Sequence, residues 1–475
     1  MTTRTGTGSG AAVAAGGAVV LPLALAQFIA SYAASNMNVA ISDIADDLHT
    51  DVSGIQTTIT LFTLTMAALM IPGSKLTDIW GRKFCFILGL VVYGVGALLA
   101  LLAQGLVLLT IGYSLLEGIG SALLIPPIYI LITVVFADVK TRAKWFGVVS
   151  GAAGLGSAAG PLIGGLVTTY ISWRASFGLQ VLVVAGIALL ARRIVDPPLP
   201  TRRPHFDGVG AVLSAAGLFL VVYGILQTNE DGWGSAKVWI LVASGALVLA
   251  VFFLWVQNRE RHGRTPLVSP SLFKNTTSNL GLTTQTVQWL VLQGTFFVIS
   301  VFLQQVRGYS AIETGLMLVP ATIGILLSSA MAQRMASRHP QRLLIRVGFT
   351  LTIVGIALLL ALSRTDSAVW TFWPGLFLMG FGVGAMLTAS VNVVQSAWPE
   401  HVQGDISGVS RSVSNLGSSL GVAIAGSVLV AAAAKGNPPY FTALIIVGGF
   451  ALVGWLAALL LPKAPAPQQQ ETPSA

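Results

Sequence analysis

The sequence predicts an all-α polytopic membrane protein, two related six-helix bundles with two further helices inserted between them, about fourteen transmembrane spans in all. Three observations lead there. Of the 475 residues 54% are hydrophobic and only 9% are charged, and mean hydropathy is +0.81, which leaves no polar shell for a water-soluble domain of this size. One apolar stretch also returns later in the chain: Leu155 to Gly165 reads LGSAAGPLIGG and Leu416 to Gly426 reads LGSSLGVAIAG, at a constant offset of 261 residues. Basic residues, finally, collect in alternate loops, so the formal charge of +9 records membrane orientation rather than a nucleic-acid patch.

Taken in order, residues 1–17 are rich in Gly, Ala and Thr with only Arg4 charged, and they carry no signal-peptide pattern; a disordered cytoplasmic tail is expected. Apolar runs of spanning length begin near Ala18, Gly54, Phe84, Leu106, Gly147, Ala175, Asp207, Val238, Leu280, Ala311, Leu343, Val369, Ile406 and Tyr440. The first six, residues 18–194, make the N-terminal bundle. Residues 195–206 hold Pro197, Pro198, Pro200 and Pro204 and read as a cytoplasmic linker. Because the repeat places six helices in each half, 207–262 is the surplus, an inserted hairpin, and 263–462 is the C-terminal bundle. The tail 463–475 is too polar and Pro-rich to pack.

An even number of spans puts both termini on one side. With that side cytoplasmic, the inner loops hold Lys75/Arg82/Lys83, Lys140/Arg142/Lys144, Arg192/Arg193/Arg202/Arg203, Arg259/Arg261/Arg264/Lys274 and Arg334/Arg338/Arg342/Arg346, while the first outer loop holds Asp43, Asp46, Asp47 and Asp51. A multi-pass protein of the plasma or inner membrane is expected, surrounded by lipid and acting as a monomer.

The fifth span, Gly147 to Val167, is the most distinctive. Gly156, Gly160 and Gly164 recur every fourth residue, with Gly165 beside the last, so one face carries almost no side-chain volume and a neighbouring backbone can approach closely. Pro161 removes the amide that the Ser157 carbonyl would have accepted. A close-packed helix pair explains the spacing as well as a sliding surface does. In the second copy Pro161 and Gly164 have become Val422 and Ala425, so any special mechanical role belongs to the first.

Between the second and third spans the chain reads GSKLTDIWGRKF, Gly73 to Phe84. A tight turn there needs Gly81; Asp78 can cap the next helix or pair with a cation, and Arg82 and Lys83 can face anionic headgroups. This loop resembles the signature loop of the major facilitator superfamily, and GLGSAAGPLIGG resembles that superfamily's antiporter motif. Asn38-Val39-Ala40, Trp173-Arg174 with Phe177, Phe206-Asp207-Gly208, Tyr223-Gly224 and above all LQQVRGYSAIETGLMLVP, Leu303 to Pro320, are similar to the fourteen-helix drug:proton antiporter branch. The resemblance implies the major facilitator fold and alternating access, with proton entry driving export of amphipathic compounds. It also implies that Asp78 and Arg82 lock one closed state while the Gly-Pro helix permits rocking.

Departures from the family pattern are informative. Ser74 and Ile79 replace the loop's usual Gly and basic residue, which weakens the lock. The family's acid in the first span falls at Ala33 and its Arg in the fourth falls at Ser114. Losing both is coherent, since one charge left alone in hydrocarbon costs about 2.5 to 3.5 kcal/mol on insertion scales. Glu117, where the family commonly has Gln, is the remaining acid placed centrally. In a low-dielectric cavity it can load and release a proton; alternatively it is a protonated, hydrogen-bonded packing residue.

Polar groups expected near the cavity are Gln27, Ser31, Ser35 and Asn38 on one face of the first span, Gln285, Gln288, Trp289 and Gln293 on the ninth, and Asn392 and Gln395 on the twelfth. Taken singly, each is more readily an interhelical hydrogen bond than a substrate contact. Arg411 can be a headgroup anchor or an anion contact, and the anchor is expected. No nucleophile–base pair, metal cluster or phosphate-binding loop is present, and the lone Cys85 allows no internal disulfide, so neither an enzyme nor a cofactor is expected. The sequence thus predicts a secondary active transporter exporting amphipathic small molecules for protons. A translocator of lipids or endogenous metabolites is the alternative; a sensor or scaffold would need a soluble domain that no loop is long enough to contain.

Overall fold

A computed structural model describes residues 8–136, 139–192, 194, 205–336, 339–364, 367–399, 402–434 and 438–462. Among these, fourteen helices are long and apolar enough to cross a membrane. They are α1 (Val19–Val39), α2 (Val52–Trp80), α3 (Arg82–Leu101), α4 (Leu106–Ile132), α5 (Gly151–Tyr170), α6 (Trp173–Ala191), α7 (Gly208–Asp231), α8 (Ala236–Arg261), α9 (Thr276–Val306), α10 (Ala311–Met331), α11 (Gln341–Leu362), α12 (Val369–Ser396), α13 (Asp405–Ala433) and α14 (Pro439–Leu460). Each starts within a few residues of the apolar run that predicted it. Two differ more at their beginnings. The helix containing α1 starts at Gly8, inside the stretch expected to be an unstructured tail, where GSGAAVAAGG supplies enough Ala to extend it. The helix containing α5 starts at Val139, on the basic loop. Residues 1–7, most of the linker and the tail from 463 lie outside the described residues.

The packing obeys a pseudo-twofold in which helix n of the first half corresponds to helix n + 8 of the second. Within the first half α1 packs on α5 and α6, α4 on α2 and α3, and α3 on α6; within the second half α9 packs on α13 and α14, α12 on α10 and α11, and α11 on α14. Two seams join the halves, α2 against α13 and α5 against α10, and the same symmetry exchanges them. The inserted hairpin stands outside it. α7 and α8 pack on each other, and α7 also touches α2 and α13.

The hairpin is tied down at both ends. Asp207 is buried and fully used: its carboxylate accepts from Gly210 N at 3.0 Å as the cap of α7, from Trp255 Nε1 at 3.0 Å and from Leu267 N at 3.1 Å, with Arg259 Nε at 3.5 Å. At the other end Asn229 Nδ2 donates to Ser53 Oγ at 3.0 Å and to Gln56 Oε1 at 3.1 Å on α2. Its outward positions, among them Val212, Ile240, Leu247 and Leu254, are exposed and apolar, as lipid contact requires.

Candidate functional site

The small-residue stripe of α5 serves two neighbours. A Cβ added at Gly156 would lie 2.2 Å from the Phe28 carbonyl oxygen, and one at Gly160 or Gly164 would strike Ser35 or Asn36, so this edge lets α1 approach to backbone contact. The adjoining edge faces the other half. A Cβ on Gly315 of α10 would lie 2.2 Å from the Pro161 carbonyl oxygen, and one on Gly165 would lie 2.6 Å from the Ala311 carbonyl oxygen. Pro161 therefore sits on the α5–α10 seam, where, among the described residues, Ile312 N donates to Thr169 Oγ1 at 3.0 Å near one end. α13 repeats the first arrangement against α9 through Gly417 and Gly421.

The other seam is polar. Ser412 Oγ donates to Ala67 O at 2.5 Å, Ser419 Oγ to Thr60 O at 3.1 Å, and Gln56 Nε2 to the carbonyls of Val422 and Ala423 at 3.3 and 3.1 Å. At the end carrying the basic loops, Lys75 Nζ meets Asp405 Oδ1 at 2.5 Å across the halves. Gly81 makes the turn between α2 and α3 at φ 101°, a backbone that an L side chain resists. No side chain caps α3 there; Asp78 stands beside Lys75 and Arg82, and Lys83 Nζ reaches Arg192 O at 3.3 Å. Among the described residues the inter-half ion pair at this loop thus uses Lys75, three residues before Asp78.

At the acidic end Gln304 acts as a peptide would: Ser42 N donates to its Oε1 at 2.9 Å while its Nε2 donates to Asn38 O at 3.0 Å, joining α9 to the turn after α1. Gln305 adds a bond to Ser42 Oγ at 2.8 Å. Asp47 is clasped inside the first half by Arg174 at 2.5 Å and Trp173 Nε1 at 3.1 Å. Nothing in the periodicity singled out Gln304 or Lys75, because each finds its partner several hundred residues away.

Glu117 lies at the end of a π-helical stretch, Thr110–Glu117, with no exposed surface. The sequence places it on a cavity wall; the structure places it inside the N-terminal bundle among Tyr32 of α1, Tyr93 of α3 and Tyr113 of α4. The extra residue per turn of a π-helix rotates this position off the face that a 3.6-residue period assigns. Tyr93 gives its short hydrogen bond, 2.5 Å, to Gln180 Oε1, so neither carboxyl oxygen of Glu117 receives a well-formed bond. The two positions that lack the family's charges are also sealed: Tyr113 OH donates to Ala33 O at 3.0 Å and Ser114 Oγ to Thr58 O at 2.7 Å.

Of the cavity candidates, Gln27 and Ser31 lie together, Gln27 Nε2 donating to Ser31 Oγ at 3.4 Å and Tyr129 OH to Gln27 Oε1 at 3.4 Å. Gln293 crosses between the halves to Ala34 O at 3.4 Å. Ser35 turns to the carbonyls of Ser31 and Tyr32 against Gly160, and Asn38 is wholly buried in a 3₁₀ turn, so neither stands on an open wall. Gln285 and Gln288 accept from Ser410 at 2.6 Å and Ser390 at 3.1 Å within the second half, and Gln395 donates to Ser407 at 3.2 Å. Trp289 and Asn392 are half-buried. Arg411 overturns the expectation of a headgroup anchor: it donates to Tyr129 OH in the opposite half and lies 4.6 Å from the centre of that ring. An arginine six residues into a span has no way to signal by sequence that its aromatic partner lies 282 positions earlier.

A family model described as Major Facilitator Superfamily matches residues 23–422. The chain belongs to the major facilitator superfamily. This makes it a multi-pass membrane transporter and not an enzyme. It is 30% identical over 402 residues to the puromycin resistance protein of Streptomyces alboniger, covering 84% of this chain and 78% of that one. It is 27% identical over 445 residues to the methylenomycin A resistance protein of Bacillus subtilis, covering 93% and 94%. A solved peptide transporter bound to sulfate is 14% identical, covers 93% of each chain and superposes with a TM-score of 0.66, a likeness of fold.

Proposed function

We propose that this transporter exports drug-like amphipathic compounds across the plasma membrane in exchange for protons, with both termini cytoplasmic and one chain sufficient. The observation that carries alternating access is the pair of symmetry-related seams: the α5–α10 contact can pivot, while the polar α2–α13 contact closes and opens. Several relatives are named as antibiotic resistance proteins, which supports compounds of that kind as cargo. Glu117 is the proposed proton site, because among the described residues it is the acid buried deepest in the spans and neither of its oxygens has a well-formed hydrogen bond. The proposed roles of Gly156, Gly160, Pro161, Gly164 and Gly165 are to let α5 rock, and those of Asp78, Gly81, Arg82 and Lys83 are to hold the cytoplasmic end.

Reconstituted into liposomes under an imposed pH gradient, the protein should accumulate an amphipathic dye, and E117Q should abolish the gradient dependence while staying monodisperse. Gradient-driven flux that survives E117Q removes Glu117 from the mechanism. One observation favours a second reading, lipid translocation: an apolar lateral groove of about 700 Å³ between α10 and α12, lined by Leu316, Val319, Pro320, Ile323, Trp373, Pro374 and Phe377. Movement of a labelled lipid without movement of dye would promote it.

A further inference from the structure

We infer that Arg411 selects solutes by charge, and that the preferred cargo is an amphipath with an anionic head; this rests on the transport reading above. Among the described residues, the charged groups near the seam at this end of the molecule are Lys75, Asp78, Arg82, Asp405 and Arg411. Lys75 is paired with Asp405 at 2.5 Å, and Asp78 stands beside Lys75 and Arg82. Among the described residues Arg411 has no carboxylate partner.

Its guanidinium instead gives a hydrogen bond to a neutral phenol, Tyr129 OH, and stacks on that ring. Behind Tyr129 the chain of contacts continues through Gln27 and Ser31, which are neutral as well. Glu117 is sealed inside the bundle, and the positions where an acid and its Arg would have sat are Ala33 and Ser114, both bonded to backbone. Both Arg411 and Tyr129 are only half-buried, which leaves each of them surface for a solute to meet.

A lipophilic cation entering here meets a like charge that, among the described residues, has no carboxylate counter-ion. A carboxylate, sulfonate or phenolate meets a planar fork of donors and forms charge-assisted bonds that a neutral phenol cannot match. The anion therefore replaces Tyr129 on the guanidinium. Because Arg411 belongs to the second half and Tyr129 to the first, that exchange removes an inter-half contact in the act of binding cargo, which couples loading to opening.

The test compares two dyes of one ring system, anionic fluorescein and the cationic methyl ester of rhodamine, titrated by fluorescence anisotropy against the full chain in detergent. Wild type should bind fluorescein more tightly by about tenfold or more. R411Q should erase or invert that ratio, and R411K should retain part of it, because charge remains while the fork is lost. Equal or tighter binding of the cation by wild type overturns the inference, as does an unchanged ratio in R411Q. Should R411Q fail to stay monodisperse, protection of wild-type Arg411 from phenylglyoxal, read by mass spectrometry, decides the matter: fluorescein must protect and the rhodamine ester must not. Liposome uptake separates the two levels. Cation flux that R411Q leaves unaltered ends charge selection and preserves transport, whereas Arg411-dependent binding without flux of either dye ends the transport reading alone.

Discussion

The two seams between the halves are related by symmetry and are built from opposite chemistry. Along α5–α10 the contact is backbone against backbone, with Gly315 under the Pro161 carbonyl and Gly165 under that of Ala311. Along α2–α13 it is a ladder of side-chain hydrogen bonds from Ser412, Ser419 and Gln56, ended by the Lys75–Asp405 pair. Dispersion contacts between smooth surfaces change little as the surfaces slip, whereas directional bonds are lost when their geometry is lost. The first seam is thus suited to a pivot and the second to a catch. The divergence is written at matched positions, since Pro161 and Gly164 on α5 correspond to Val422 and Ala425 on α13.

Filling the pivot should have the largest effect. G315L drives a side chain into the Pro161 carbonyl and should lower dye flux in liposomes by more than about tenfold, with the protein still expressed and monodisperse. Retention of normal flux would mean that the halves do not turn about this seam. The smaller P161A restores a helix donor and should raise thermal stability while slowing turnover, measured by melting and initial rates on the same preparation.

Breaking the catch should cost less per bond. S412A and S419A each remove one net hydrogen bond, about 1 kcal/mol, and should shift the balance between closed and open forms several-fold, as read by cross-linking of cysteine pairs placed across α2 and α13. The Lys75–Asp405 pair is partly exposed, so K75A or D405A should shift it by no more than a few-fold, and the exchanged pair K75D/D405K should restore it. Restoration separates a true ion pair from a mere packing effect.

What could be read from sequence and what could not divide along a physical line. Span number and the 261-residue repeat follow from hydrophobic runs and local wording, and all but two of the fourteen helices begin within a few residues of their apolar runs, the exceptions starting early at Gly8 and Val139. The Gly81 turn was legible because only Gly sits easily at φ 101°. The facing of single polar residues was not. Spans such as α4 are apolar almost all round, so no polar stripe identifies the inward face, and the π-helical turn before Glu117 shifts the register that a regular helix would keep. Arg411, Gln304 and Lys75 are defined by partners 282, 266 and 330 residues away, a distance over which one sequence carries no signal.

The inserted hairpin lies on only one of the two seams, where α7 touches both α2 and α13 while Asn229 is bonded to α2. It acts there as a splint. Among the described residues the opposite side has no such cover, and Leu162, Leu166 and Leu316 show their flanks to the bilayer. The molecule therefore has a front and a back within the plane of the membrane despite its near-symmetric halves.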